Sequence, residues 1–274
     1  MNLKQIHLVS DSTGETVSCI TRACLAQFEN TNPTEHLWWL VRTPGQVERV
    51  ISGIQSHKGL VLFTLVDIEL RKLLEEGCKK LKVPCISVLD PVMMALSSYL
   101  QTNIAAQPGL QHVLDAEYFE RIDAMQYTLA HDDGQLLEGL DDADVIVVGI
   151  SRTSKTPTCM YMANRGVKAA NIPLVPNIPL PKELFEVKRP LIVGLTKDPA
   201  SLAEIRKSRL RFLNERDDTD YADFEAVKAE VTLARRIFSR HNWPVIDVSR
   251  RSIEEAAASI MQLHQDREAA KSVP

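Results

Sequence analysis

The 274-residue sequence lacks the features that mark several classes of protein. Its five cysteines form no CxxC pair and have no histidine at metal-ligand spacing, so we predict neither a zinc site nor a disulfide framework. A formal net charge of -4 provides no broad basic surface for nucleic acid or anionic lipid. No apolar run reaches membrane-spanning length, and the N-terminus does not resemble a signal peptide. We therefore expect a soluble, cytoplasmic protein without nucleic-acid or membrane partners.

Short apolar runs alternate with amphipathic stretches along the chain, and this alternation predicts βαβ units with parallel sheets. The runs before residue 105 are IHLVS, HLWWLV, LVLFTLV and CISVL, and those after residue 140 are ADVIVVGI, NIPLVP, PLIVGLT and WPVIDVS. We predict an α/β fold with three parts. An open parallel-sheet domain (1–105) is followed by a connecting helix and turn (106–140) and then by a P-loop kinase-like α/β domain (141–274).

Several helices have local signals of their own. Asp67 stands before IELRKLLEEGCKKL, where it predicts an N-cap, and either Gly77 or Lys82 marks the end of that helix. The stretch LDAEYFERIDAMQYTLAH predicts one continuous helix. The polar tail after Asp266 is expected to fray.

Residues 145–158 read VIVVGISRTSKTPT, an apolar strand followed by the spacing of a phosphate-binding loop. The phosphate loop comprises Gly149, Ile150, Ser151, Arg152, Thr153, Ser154, Lys155 and Thr156. Backbone N–H groups between a strand and a helix attract anions, a lysine adds a point charge for the terminal phosphates, and a threonine hydroxyl binds Mg²⁺. We predict these roles for Lys155 and Thr156. The alternative is an ordinary capped helix start with Lys155 in solvent.

Two residues of the loop are unusual. Ser154 stands where glycine is expected before the lysine, and a left-handed conformation there would cost a residue with a side chain about 1–2 kcal/mol. We therefore expect a loop of different shape. Arg152 adds a second cation whose planar head suits bidentate contact with phosphate.

Upstream of the loop, YTLAHDDGQ places His131, Asp132 and Asp133 before a glycine. The segment is either a polar turn at a helix end, or its two aspartates supply the carboxylates that phosphoryl transfer requires. Asp132 or Asp133 is the predicted general base, and His131 is the other candidate because its ordinary pKa suits proton transfer. Asp247, at the end of the last apolar run, is predicted either to reach the metal or to cap the following helix.

Two further segments have both a plain and a functional interpretation. The turn SDSTGET (10–16) follows the first strand and is either a helix cap or a contact with a protein substrate or a metabolite. The basic segment IRKSRLRF is either a solvated helix face or a set of cations that form part of a docking surface or reach phosphate. Its cations are Arg206, Lys207, Arg209 and Arg211.

The segments ERIDAMQYTLAHDDG, VVGISRTSKTPTCMYMANRGVKAANIPLVP, LIVGLTKDPASLAEIRKSRL and WPVIDVSRRSIEEAAASI resemble the bifunctional regulatory proteins of pyruvate, phosphate dikinase and phosphoenolpyruvate synthase. The resemblance covers nearly the whole chain, and HLVSDSTGET is more similar to the dikinase branch. It implies an ADP-dependent serine/threonine kinase, unrelated to the common protein kinases, that inactivates its partner by phosphorylating a threonine. It also implies a phosphate-dependent reverse reaction that releases diphosphate.

By the same resemblance, residues 149–156 would bind the nucleotide, and Ser154 belongs to the family pattern. The sequence contains no GxGxxG, HRD or DFG motif, which agrees with an unrelated kinase. We therefore expect ADP, phosphate and Mg²⁺ as ligands and pyruvate, phosphate dikinase as partner, with a homodimer also allowed. The alternatives are regulation of phosphoenolpyruvate synthase, a small-molecule P-loop kinase, and a nucleotide-sensing module without catalysis.

Overall fold

The computed structural model describes residues 4–109, 116–212 and 221–271. The chain divides into two compact units, Met1–Val113 and Leu114–Pro274. Part of the predicted connecting segment lies outside the described residues. Within the described residues, every helix is too short or too polar to span a bilayer.

The first unit is a four-stranded parallel sheet with helices between the strands. Its elements are β1 (Gln5–Val9), α1 (Glu15–Leu25), β2 (Thr34–Trp38), α2 (Pro44–Ser56), β3 (Leu60–Phe63), α3 (Ile68–Leu81), β4 (Cys85–Ser87) and α4 (Asp90–Leu100). The strand order is β2-β1-β3-β4, and all three pairings are parallel. The apolar runs thus form strands and their alternation gives a parallel sheet, as predicted. The strand predicted from HLWWLV differs in its bounds: β2 begins two residues earlier and ends at Trp38.

Helix α3 shows how local signals set its ends. The Asp67 carboxylate accepts hydrogen bonds from the N–H groups of Glu69 and Leu70, at 2.9 and 3.0 Å. Lys82, with φ 55°, ends the helix in the left-handed region. Gly77 lies inside the helix, where an added Cβ would come within 2.4 Å of Ile51. The predicted N-cap is therefore confirmed, and Lys82 rather than Gly77 ends the helix.

The second unit is also a four-stranded parallel sheet. Its elements are α5 (Ala116–Ala130), β5 (Val145–Gly149), α6 (Lys155–Ala163), β6 (Ala169–Pro173), α7 (Glu183–Glu186), β7 (Leu191–Thr196), α8 (Pro199–Phe212), α9 (Phe224–Arg240), β8 (Val245–Asp247) and α10 (Ile253–Lys271). The strand order is β6-β5-β7-β8, again parallel throughout.

Three sequence predictions for this unit need comment. The long helix is confirmed over its described part, and the first two of its predicted residues lie outside the described residues. The expected fraying after Asp266 is wrong as far as Lys271, because α10 continues to that residue. β6 begins at Ala169, earlier than NIPLVP suggested, because Asp144 and Val145 already bond the carbonyl of Lys168 and so start the pairing with β5 there.

Candidate functional site

A cavity of about 650 Å³ lies in the second unit, where β5, β6 and β7 end. The phosphate loop forms its base, residues 173–176 at the end of β6 form one wall, and residues of α8 and α9 form another. Lys197, directly after β7, also lines it. Ligands of open α/β sheets bind at the carboxyl ends of the strands. The loop therefore lies where the fold favours a ligand.

The phosphate loop is tightly built. An added Cβ at Gly149 would come within 2.9 Å of the Thr153 hydroxyl and 3.0 Å of the Leu195 carbonyl, so only glycine fits without displacement. Thr153 is buried and its hydroxyl donates to the Ile150 carbonyl at 2.9 Å. Ser154 has φ 63° and ψ 29°, the left-handed conformation considered for this position.

Lys155 is the first residue of α6 and only 6% exposed. Its Nζ donates to the Ile150 carbonyl at 3.4 Å, and the side chain lines the cavity. Burial lowers the pKa of Lys155, while the charges of Asp133 and Asp132 oppose that change. A buried ammonium group with few partners interacts strongly with an incoming anion. The interpretation of Lys155 as a solvated charge is therefore wrong.

Three oxygen-bearing side chains meet beside the loop. The Thr156 hydroxyl donates to Asp132 Oδ1 at 2.9 Å, and Asn171 Nδ2 also donates to that carboxylate oxygen. Nδ2 of Asn171 lies 3.2 Å from the Thr156 hydroxyl. Asn171 is buried in β6, and sequence reasoning missed it because only the pairing of β6 with β5 brings it here.

The turn after α5 separates its three candidate residues. Asp132 is half-buried and engaged as described, whereas Asp133 is exposed, has φ 48° and lines the cavity with Lys155. His131 is buried, with Nδ1 2.8 Å from the Tyr127 carbonyl and Nε2 3.0 Å from the Glu138 carbonyl. Both ring nitrogens thus face backbone oxygens. Of the three, Asp133 is the one that offers a carboxylate to the cavity.

Asp247 lies apart from this group. It ends β8, two strands away from β5, which corresponds to roughly 10 Å. Asp247 Oδ1 accepts the backbone N–H of Ser249 at 2.9 Å, and Arg235 lies 3.7 Å from its other oxygen. Asp247 does not line the cavity. The structure therefore does not bring it together with Thr156.

A buried ion pair in the wall of the cavity supports the loop. Arg206 of α8 is 1% exposed and bonds Glu230 of α9 through two parallel contacts, at 3.0 and 2.7 Å. It also donates to the carbonyls of Tyr221 and Ser151, at 2.9 and 3.3 Å. The Tyr221 hydroxyl lies 3.1 Å from the Ser151 hydroxyl, and it also accepts a hydrogen bond from Arg152 Nε at 3.3 Å. Arg206 is therefore not a docking-surface residue, because the interior of the unit holds it.

The remaining cations of that basic segment lie on the outside of α8. Arg209 and Arg211 are exposed, and Lys207 is partly exposed with a Glu204 carboxylate 3.4 Å from its Nζ. The solvated-face interpretation thus fits these three residues.

Comparison with known proteins extends these observations. Residues 6–261 match the family described as kinase/pyrophosphorylase. The chain is 64% identical over 260 residues to a protein of Paramagnetospirillum magneticum named as a pyruvate, phosphate dikinase regulatory protein, covering 95% of this chain and 84% of that one. A protein of Rhodospirillum rubrum with the same name is 56% identical, covering 96% and 95%.

Among solved structures, the A domain of carboxylic acid reductase from Segniliparus rugosus aligns with 89% of this chain and 48% of that one. The TM-score is 0.24 and the identity 13%, so nothing about the fold follows from it.

Proposed function

The chain belongs to the kinase/pyrophosphorylase family and is a kinase-like phosphotransferase, and from that premise we propose that it regulates pyruvate, phosphate dikinase in two directions. In the forward direction it transfers the β-phosphoryl group of ADP to a threonine of the dikinase. In the reverse direction it transfers that group from the threonine to inorganic phosphate. The observation that carries this proposal is the buried ammonium of Lys155 at the base of a cavity closed by the phosphate loop.

The forward step joins the threonine oxygen of the partner to the β-phosphorus of ADP. The bond from that phosphorus to the bridging oxygen breaks, and AMP leaves. Lys155 and the loop N–H groups stabilise the charge that develops on the phosphoryl oxygens. Asp133 accepts the threonine proton, because its carboxylate lines the cavity beside Lys155.

The reverse step uses the same groups. An oxygen of inorganic phosphate attacks the phosphorus of the phosphothreonine, and diphosphate and free threonine are the products. Asp133 returns a proton to the threonine oxygen, as microscopic reversibility requires. Because the attacking phosphate occupies the place of the leaving AMP phosphate, one anion site serves both directions.

The residues present suit Mg²⁺. The Thr156 hydroxyl and the Asp132 carboxylate lie 2.9 Å apart, and they are oxygen ligands of the kind that this ion prefers. Among the described residues, the buried Oδ1 of Asn171 next to them has no hydrogen-bond partner. We assign the metal to Thr156 and Asp132 rather than to Asp247. When bound, the ion neutralises charge on the phosphates.

The proposal is tested with ADP labelled on its β-phosphate and purified pyruvate, phosphate dikinase. Wild-type protein should place label on a dikinase threonine and release AMP. Lys155→Met keeps the length of the side chain and removes its charge, and it should slow transfer by about 10²–10³-fold. Lys228→Met is the matched control, because Lys228 pairs with Glu225 on the surface of α9 and should transfer at the wild-type rate.

The other outcomes identify the alternatives. Label on phosphoenolpyruvate synthase but not on the dikinase would assign the partner differently. Label on a small molecule without any partner protein would indicate a metabolite kinase. ADP-dependent complex formation with an unlabelled partner would indicate a sensing module and would contradict the proposed catalysis.

A further inference from the structure

A second cavity, of about 190 Å³, lies in the first unit where β1 and β3 end. In that sheet β2 lies on one side of β1, and β3 and β4 lie on the other. The crevice between β1 and β3 is thus the point at which the strand order reverses, where open α/β sheets bind their ligands. The residues that line this cavity include Ser10, Asp11, Ser12, Gly14, Thr64 and Val66.

Three consecutive polar residues at this cavity are buried: Ser10, Asp11 and Ser12 are 3%, 4% and 6% exposed. The Ser10 hydroxyl accepts from the Ser12 N–H at 3.2 Å and from the Thr64 hydroxyl at 3.0 Å, which leaves its own proton to donate. The Ser12 hydroxyl has no hydrogen-bond partner among the described residues. Ser12 lines the cavity, so this unpaired hydroxyl can donate to a ligand bound there.

The first turn of α1 faces the same cavity through Gly14 and Thr16. Gly14 is the N-cap with φ 79° and has no side chain to bond the free N–H groups. An added Cβ at Gly14 would overlap the ring of Trp39, so a capping side chain does not fit there. The N–H groups of this turn are therefore available to an anion.

Asp11 determines which anion fits. Its Oδ2 accepts the Val66 N–H at 2.8 Å, and burial raises the pKa of the carboxyl group. Arg42 donates through Nε to the backbone carbonyl of Asp11 at 2.7 Å. A carboxylate repels a fully ionised oxyanion but accepts a hydrogen bond from one that retains a proton. Phosphate monoesters exchange a proton near pH 6 and inorganic phosphate near neutral pH, whereas sulfate has none to give at neutral pH.

We propose that this cavity binds a small oxyanion that retains a proton, either inorganic phosphate or the phosphate group of a small ester. The Asp11 carboxylate accepts a hydrogen bond from the protonated oxygen of the anion, and the Ser12 hydroxyl and the first turn of α1 donate to the other oxygens. The volume is below the roughly 300 Å³ at which pockets for drug-sized ligands begin, so a nucleoside diphosphate does not fit. The site belongs to the first unit and is independent of the phosphate loop.

The test is a titration of the full ¹⁵N-labelled chain at neutral pH, followed through the backbone amides of Ser12, Gly14, Thr16 and Val66. Inorganic phosphate should shift these amides to saturation, and sulfate at equal ionic strength should bind about tenfold more weakly or worse. Methyl phosphate distinguishes the two sources: tighter binding than phosphate assigns a phosphate ester, and weaker binding assigns free phosphate.

Three variants complete the experiment. Ser12→Ala should weaken phosphate binding by roughly fivefold or more. Asp11→Asn should remove the preference for phosphate over sulfate, because an amide N–H donates to either ion. Lys155→Met should leave the four amide shifts unchanged, so failure of the proposed catalytic site would not affect this result. Absence of saturable shifts at millimolar phosphate, or equal binding of sulfate by the wild type, would overturn the proposal.

Discussion

At the residue scale, the chemistry of the site depends on how burial and charge act on Lys155. Burial lowers its pKa, while Asp133 and Asp132 raise it. A phosphate group at the loop adds further negative charge and favours the ammonium form. Anion binding and protonation of Lys155 therefore support each other. Ser154, the residue before Lys155, has the left-handed αL conformation. The surrounding loop maintains it despite a cost of about 1–2 kcal/mol.

The two aspartates should respond differently to the same substitution. Asp133→Asn removes the proposed base, so kcat for transfer to the dikinase should fall by about 10²–10⁴-fold with little change in the KM for ADP. Asp132→Asn weakens the oxygen pair with Thr156, so the variant should require more Mg²⁺ for half-maximal rate. Initial rates over a matrix of ADP and Mg²⁺ concentrations separate these effects. A reversed pattern would exchange the two assignments.

At the scale of elements, α8 and α9 are joined to the phosphate loop by the Arg206–Glu230 ion pair. Two of the guanidinium nitrogens bond Glu230, and the same nitrogens reach the carbonyls of Tyr221 and Ser151. Lysine cannot reproduce this planar fork. The pair lies in the wall of the cavity and holds the loop through the Ser151 carbonyl.

Arg206→Lys should keep the positive charge but lose the two parallel hydrogen bonds to Glu230. Its affinity for ADP should fall several-fold, and its thermal unfolding temperature should fall by several degrees, because a buried pair loses contacts worth about 1–3 kcal/mol. Arg209→Lys, on the exposed side of the same helix, is the control and should behave as wild type. Calorimetric titration with ADP provides the readout. Unchanged ADP affinity in folded Arg206→Lys would show that the pair serves stability alone.

Local sequence signals predicted some helices, whereas other elements were not predicted. α3 follows from its cap at Asp67 and its apolar face, and α6 from the loop that precedes it. α9 was not predicted, although Asp223 caps it and its apolar residues Val227, Val231 and Phe238 lie on one face. That signal was available in the sequence. In contrast, the side-chain contacts of β6 and α8 are made with segments that are distant in the sequence.

At the scale of the whole molecule, the two units have the same strand order although the sequence shows no internal repeat. Right-handed crossovers and burial of both sheet faces limit the arrangements that a parallel sheet adopts, so different sequences reach the same order. In each unit a cavity lies where that order reverses. The fold class and the phosphate loop were predictable from local pattern and spacing.

The rest of the site was not predictable, because its partners are far apart in the sequence. Asn171 contacts Asp132 across 39 positions, and Tyr221 contacts Ser151 across 70. Lys197 reaches the cavity only because β7 lies beside β5. Such contacts are determined by strand order, and spacing along one sequence does not contain that order.

The central claim is that one anion site, with Lys155 at its base, serves both directions of phosphoryl transfer. The most direct measurement compares the two rates of Lys155→Met with those of the wild type: transfer from ADP to the dikinase, and phosphate-dependent release of diphosphate from the phosphorylated dikinase. We predict that both rates fall by a similar factor of about 10²–10³, while Lys228→Met retains both. Loss of the ADP reaction with an undiminished rate of diphosphate release would contradict the claim.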